Sequence, residues 1–190
     1  MVRTANVIRK TSETEISIEL NLDGSGENKI DTSVKFIDHM LKLLAKHSNC
    51  NLEVRAQGDL IHHIVEDIGI TLGECFQKAL GDKKGINRYG SALIPMDETL
   101  ARCVLDFSGR QALILNLNLN ECEIEDVAVE DITHFFTSFA ENAKMNLHLH
   151  ILYGEDQHHK VEAAFKALAR AIKQAKMIVS EDIPSTKGIL

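Results

Sequence analysis

The pattern His-His-x-Val-Glu occurs twice in this chain, at His62-His63-Ile64-Val65-Glu66 and, 96 residues later, at His158-His159-Lys160-Val161-Glu162. Another histidine precedes each pair, His39 by 23 residues and His134 by 24 residues. Self-similarity at a nearly fixed offset is the sequence signature of an internal duplication. The chain is therefore predicted to consist of two similar halves.

A third match supports the duplication, because Glu13-Thr14 recurs as Glu98-Thr99, 85 residues later. The turn that ends at Arg88 lies between the two sets of matches. We therefore predict a first α+β repeat over residues 1–88 and a second over residues 89–190, which carries the C-terminal tail.

Each half has the same predicted order of elements. Apolar residues alternate over Ile16–Leu22, follow helical spacing over Phe36–Leu44 and alternate again over Leu52–Ala56. A last helix runs from the His-His pair and is predicted to end near Gly81 in the first half and near Ser180 in the second. This order, β-β-α-β-α twice, predicts an α+β fold with mainly antiparallel sheets, helices on one face, and two units packed as a pseudo-dimer.

Composition excludes several classes of protein. The 190 residues are 44% hydrophobic and 26% charged, as in globular proteins. A net charge of −7 argues against binding to duplex nucleic acid, which requires a positive patch. The apolar runs are too short to span a bilayer, and the first residues lack the apolar stretch of a signal peptide. We expect a cytoplasmic protein without nucleic-acid or membrane partners.

The histidines of the repeat form a predicted metal site. Helix positions three or four apart share a face, so Glu66 can join one ion with either His62 or His63, and the remaining histidine must point to another centre. The same holds for the second repeat. Nitrogen and oxygen ligands without thiolate favour Mn²⁺, with Fe²⁺ or Zn²⁺ as alternatives. Two ions would then share the candidate ligands His39, His62, His63, Glu66, His134, His158, His159 and Glu162.

Three further segments are typical of phosphate binding. Arg88 and Arg110 each lie in a glycine-containing turn, where a guanidinium can contact a phosphate through two nitrogens. Ser185 and Lys187 add a hydroxyl and an ammonium group near the C-terminus. These segments predict a small phosphorylated ligand.

Several motifs together resemble the imidazoleglycerol-phosphate dehydratase family, in order and over nearly the whole chain. They are Phe36-x-Asp38-His39-Met40-Leu41, His62-His63-x-Val65-Glu66-Asp67-Ile68-Gly69, Pro95-Met96-Asp97-Glu98, Asp106-x-Ser108-Gly109-Arg110, His134-Phe135-Phe136, His158-His159-x-x-Glu162 and Pro184-Ser185-x-Lys187-Gly188. The resemblance implies two Mn²⁺ per chain and a homo-oligomer of 24 subunits built from trimers, with active sites between subunits.

The resemblance also implies roles for individual residues. The eight candidate ligands would hold the metal, and Glu162 would also belong to the catalytic set. The acid/base residue would be Glu13, with Asp97 and Glu98 as alternatives. Substrate would be bound by His47, Arg88, Arg110, Lys166, Ser185 and Lys187.

The implied reaction dehydrates imidazoleglycerol phosphate to imidazole acetol phosphate in histidine biosynthesis. The proton that is lost lies on a carbon with no neighbouring carbonyl, so direct abstraction is very unfavourable. A metal-bound imidazolate could instead expel the hydroxyl and give a diazafulvene, whose C–H a carboxylate then deprotonates. Two alternatives are a non-catalytic metal-binding shell and a dinuclear metal hydrolase.

Overall fold

The computed structural model describes residues 3–120 and 122–190, which form two α+β halves. The elements of the first half are β1 (Thr4–Lys10), β2 (Thr14–Asn21), β3 (Asn28–Asp31), α1 (Lys35–Ser48), β4 (Asn51–Gly58) and α2 (Ile61–Leu80). Those of the second half are β5 (Tyr89–Met96), β6 (Thr99–Asp106), β7 (Ala112–Asn116), β8 (Glu123–Ile124), β9 (Val127–Ala128), α3 (Val129–Asn142), β10 (Asn146–Tyr153) and α4 (Gln157–Ala175).

The two four-stranded sheets have the same topology, with strand orders β1-β2-β4-β3 and β5-β6-β10-β7. In both sheets the first three strands are antiparallel and the short last strand is parallel to its neighbour. The predicted α+β class is confirmed. Each four-stranded sheet contains one strand more than predicted, and the second half also contains the short pair β8 and β9. The additional strands lack a clear apolar alternation, since β1 buries only Val7 and β5 buries only Gly90.

The halves pack through their helices. Helix α2 lies on β1, β2 and β4 of its own sheet and packs against α3 of the other half, while α1 packs against α4. Gly69 and Gly73 allow α2 to approach α3 closely, because a Cβ atom at either glycine would lie 2.8 Å from a backbone oxygen of α3. These glycines follow His62 and Glu66 on one helix face, so the same contact brings those side chains to α3.

The last helix ends earlier than predicted, at Ala175 instead of near Ser180. The chain beyond it bonds to the segment before β5: Arg88 donates its backbone N–H to the carbonyl of Ala175, and Val179 donates to Gly85. Lys176 turns inward and donates its ammonium to the carbonyls of Leu22 and Asn49. These contacts replace the helical hydrogen bonds that a longer α4 would make.

None of the helices within residues 3–120 and 122–190 has the length and apolar character needed to cross a membrane.

Candidate metal centres and phosphate cleft

His62, Glu66 and His134 form the first candidate centre, which we call the α2/α3 centre. One ligand atom from each residue lies within 4.8 Å of the others. Nε2 of His62 is 3.8 Å from Oε2 of Glu66, one helical turn later, and the rings of His62 and His134 are 4.9 Å apart at their centroids. The structure thus selects His62 over His63 as the neighbour of Glu66.

His39, His158 and Glu162 form the second candidate centre, which we call the α1/α4 centre. Their ligand atoms also lie within 4.8 Å of one another. Oε2 of Glu162 is 3.1 Å from Nε2 of His39 and 3.4 Å from Nε2 of His158. Each centre therefore combines a His-x-x-x-Glu pair from one half with a single histidine from the other.

The carboxyl group of Glu162 is ionised at neutral pH. Burial alone would raise its pKa, but the hydrogen bonds and charges of Lys166 and His39 outweigh burial and lower the pKa to about 2. Nζ of Lys166 lies 2.5 Å from Oε1, which leaves Oε2 facing the two histidines. The centre thus has an anionic oxygen where a cation needs one.

His63 and His159 lie outside both centres. Nδ1 of His63 is 2.8 Å from Oδ1 of Asp59 and 3.9 Å from Oε2 of Glu13. Nδ1 of His159 is 2.8 Å from Oε2 of Glu98. The hydrogen bonds with Asp59 and Glu98 raise the pKa of the two imidazoles. Adjacent helix residues point about 100° apart, so the second histidine of each pair faces away from the centre that the first one joins.

All four histidines of the repeated pairs share one feature, a carboxylate at Nδ1. Besides the two contacts above, Nδ1 of His62 lies 2.6 Å from Asp131 and Nδ1 of His158 lies 3.0 Å from Glu125. A metal-binding histidine usually donates its second N–H to such a carboxylate, which fixes the ring and its tautomer. The arrangement leaves Nε2 as the ligand atom of each ring.

Of these four carboxylates, only Glu98 is among the residues predicted from the sequence, as an alternative acid/base residue. Asp59, Asp131 and Glu125 were not predicted. Asp131 lies three residues before His134 on α3, a spacing that shares a helix face, whereas Asp59 lies two residues before the start of α2. Glu125 lies between β8 and β9, and no spacing links it to His158.

Six imidazoles, two carboxylates and no thiolate make up the predicted ligand set, and the two centres hold four of these imidazoles and both carboxylates. Borderline nitrogen donors combined with hard oxygens suit a divalent first-row ion. The donor chemistry of both centres therefore fits the metal that the sequence predicts.

The predicted phosphate residues fall into two groups. Arg88, Arg110, Ser185 and Lys187 line one cleft of about 720 Å³. The guanidinium of Arg88 donates to both carboxylate oxygens of Asp106, at 2.7 and 3.0 Å, and to the carbonyl of Pro184 at 2.8 Å. Arg88 thus holds the tail against the sheet, and Arg110 and Lys187 are the exposed cations of the cleft.

The other two predicted substrate residues lie beside the α1/α4 centre. His47 follows His39 by two turns of α1, and Lys166 contacts Glu162. Partial burial lowers the pKa of His47, and the charges of Lys166 and Arg170 lower it further. His47 is therefore a neutral imidazole near neutral pH.

The cleft and the α1/α4 centre lie at opposite ends of α4. His158 is in the first turn of this helix, whereas Ala175, its last residue, accepts a hydrogen bond from the backbone of Arg88. The helix has 19 residues, and at 1.5 Å per residue it is roughly 28 Å long. A small substrate cannot reach from one to the other within a single chain.

Comparison with known proteins agrees with this architecture. Residues 32–172 match the family model described as imidazoleglycerol-phosphate dehydratase. A protein of that name from Chlorobium phaeobacteroides is 51% identical over 192 residues, covering 100% of this chain and 96% of the relative. One from Listeria welshimeri is 50% identical over 194 residues and covers 100% of both chains.

The fold agrees as well. The crystal structure of imidazoleglycerol-phosphate dehydratase from Staphylococcus aureus superimposes with a TM-score of 0.85 at 38% identity, covering 93% of this chain and 99% of that one. The matches extend over both halves, both candidate centres and most of the chain. This chain belongs to the imidazoleglycerol-phosphate dehydratase family of hydro-lyases.

Proposed function

We propose that this chain dehydrates imidazoleglycerol phosphate to imidazole acetol phosphate in histidine biosynthesis, with two Mn²⁺ per chain, in the cytoplasm. The observation that carries the proposal is the pair of like-built centres, each with two imidazoles and one carboxylate from both halves of the duplication. Membership of the family supports the choice of substrate, and the cleft with its exposed cations is where its phosphate group would bind.

The two centres would hold the ions through Nε2 of each histidine and through Glu66 and Glu162. Bound ions would lower the pKa of the substrate's imidazole N–H and so help the ring to release electrons towards the carbon that loses the hydroxyl. The carboxylates at Nδ1, such as Asp131 behind His62, would keep each ring in the tautomer that leaves Nε2 free.

The active site is proposed to form between subunits. The cleft and the α1/α4 centre of one chain are separated by the length of α4, so a substrate held by Lys187 or Arg110 would meet metal ligands from another chain. His63 and His159, which lie outside both centres of their own chain, would supply the remaining imidazoles across this contact. This favours a homo-oligomer and fits a shell of 24 subunits built from trimers.

Glu13 is the residue that we propose takes the proton from carbon. Its side chain is 55% exposed and lies beside His63, so a substrate can reach it. Asp97 is even more exposed, at 72%, and lies 3.7 Å from Nε2 of His159. It therefore remains the alternative.

Glu98 is less suited to act as a base, since both of its oxygens are already bonded. Oε2 contacts His159, and Oε1 accepts the backbone N–H groups of Glu155 and Asp156 at 3.1 and 3.0 Å. These hydrogen bonds, that with His159 foremost, hold the pKa of the Glu98 carboxyl far below its ordinary value. We propose that Glu98 orients His159. Glu162 would bind the metal ion and form an ion pair with Lys166.

One assay tests the proposed function against its alternatives. Purified protein loaded with Mn²⁺ is given imidazoleglycerol phosphate, and imidazole acetol phosphate and inorganic phosphate are both followed. The dehydratase forms the acetol phosphate. Release of inorganic phosphate would favour a dinuclear hydrolase, and binding of Mn²⁺ with neither product would favour a metal-binding shell.

A further inference from the structure

The two candidate centres occupy equivalent positions in the two halves, but their surroundings differ, and two of the differences change the charge near the ligands. Lys166 lies four residues after Glu162, whereas Ile70 lies four residues after Glu66. Asp131 lies three residues before His134, and Phe36 lies three residues before His39. The duplication therefore allows the electrostatics of the two centres to be compared position by position.

Among the residues that the structure describes, a lysine contacts the carboxylate of the α1/α4 centre, whereas neither a lysine nor an arginine contacts that of the α2/α3 centre. Nζ of Lys166 is 2.5 Å from Oε1 of Glu162, and both side chains are largely buried, at 19% and 10% exposure. The ammonium therefore offsets part of the charge that Glu162 offers to an ion. Ile70, at the equivalent position, places no cation beside Glu66, whose own charge is partly screened because its side chain is 39% exposed.

The carboxylate behind the histidine is buried in the α2/α3 centre and exposed in the α1/α4 centre. The Asp131 side chain is 9% exposed and its Oδ1 is 2.6 Å from Nδ1 of His62. At the equivalent position the ring of Phe36 packs 5.2 Å from the ring of His158, whose Nδ1 contacts Glu125 instead. The Glu125 side chain is 58% exposed, so water screens its charge far more than that of Asp131.

We propose that the two centres bind divalent ions with unequal affinity and that the α2/α3 centre fills first. Asp131 is a positioning residue that strengthens the hold of His62 on the ion, and Lys166 weakens the hold of Glu162. This inference rests on the proposed function, which takes the two centres as metal sites. Carboxylates of this kind change metal affinity by about 10- to 100-fold, so that is the size of effect expected from Asp131.

Two matched variants isolate the centres. His39→Ala disables the α1/α4 centre and leaves the other, while His134→Ala does the reverse, and both side chains are exposed, so neither change opens the core. Free Mn²⁺ is measured by electron paramagnetic resonance during titration with Mn²⁺ alone, and light scattering and thermal unfolding check assembly and folding. We expect His39→Ala to keep the tighter ion and His134→Ala the weaker one.

Asp131→Asn is then added to each variant. Asparagine keeps the size and a hydrogen-bond acceptor of aspartate but not its charge. The affinity for Mn²⁺ should therefore fall by about 10- to 100-fold in the His39→Ala background and stay unchanged in the His134→Ala background. Glu130→Gln is the matched control, since Glu130 is an exposed acid in the same helical turn and should have no effect. Lys166→Gln beside His134→Ala should raise the affinity of the remaining ion.

The outcomes separate this inference from the proposed function. Two ions of equal affinity, or a loss from Asp131→Asn that is the same in both backgrounds, would overturn the unequal centres and leave the proposed metal sites standing. If neither His39→Ala nor His134→Ala lowered the number of bound ions, the metal sites themselves would be wrong, and the proposed function with them.

Discussion

The backbone N–H of Arg88 lies 2.9 Å from the carbonyl of Ala175, at the end of α4 opposite to His158. Together with the neighbouring backbone hydrogen bonds, it places the candidate phosphate cleft at one end of the helix, with a candidate metal centre at the other. If both act on the same substrate, they must come from different chains.

Mixed oligomers test that relationship. His158→Ala impairs the α1/α4 centre, and Lys187→Gln impairs the cleft, so each variant alone should have little activity. Dissociation and reassembly of the two together should restore a substantial part of the activity, because some sites then combine an intact centre with an intact cleft. Each variant is also dissociated and reassembled alone as a control. Activity that stays at the level of the separate variants would place the whole site within one chain.

Truncation after Ile183 tests the tail as a phosphate contact. It removes Ser185 and Lys187 and keeps every candidate metal ligand. A hydrogen bond to a charged group contributes about 1.5–3 kcal/mol, so KM should rise by roughly 10- to 100-fold. Metal content, measured by elemental analysis, should stay the same. An unchanged KM would mean that the tail does not bind substrate.

His63→Ala and His148→Ala form a second matched pair. His63 belongs to the repeat and its Nδ1 is fixed by Asp59, so its loss should reduce both bound metal and activity. His148 is exposed on β10 and belongs to neither centre, so its loss should affect neither quantity. If the two variants bound the same amount of metal, His63 would not be a metal ligand.

Chelation tests whether the ions join subunits. If His63 and His159 complete centres on neighbouring chains, the free energy of metal binding also stabilises the assembly. Prolonged treatment with a chelator should therefore convert the large oligomer into smaller ones, trimers in our account. Added Mn²⁺ should restore size and activity together, as followed by light scattering and assay. A metal-free protein of full size would show that other contacts hold the subunits.

Much of this architecture was predictable because the duplication appears as short sequence motifs that occur in both halves. The His-His-x-Val-Glu pairs indicated two halves, and the helices at Phe36–Leu44 and after His62 follow from regular apolar spacing. The division at Arg88 remains a prediction, as do the ligand and substrate roles of individual residues. The additional strands escaped prediction because β1 and β5 bury too few side chains to alternate clearly.

The choice between His62 and His63 could not be made from spacing. Both lie three or four residues from Glu66, and only the packing of α2 against α3 decides which one faces His134. The contact of Glu125 with His158 escaped for a similar reason, since it joins segments distant in sequence. The ion pair between Arg88 and Asp106 was not predicted either. It orients Arg88 so that the guanidinium also holds the C-terminal tail through the carbonyl of Pro184.

We expect each chain to carry two divalent-ion centres, one at His62, Glu66 and His134 and one at His39, His158 and Glu162. Anomalous X-ray scattering at the manganese absorption edge, from crystals grown with Mn²⁺, locates these ions. We expect two strong peaks per chain, one beside each of these groups, with His63 or His159 of a neighbouring chain completing each. A single peak per chain, or peaks away from these residues, would contradict this expectation.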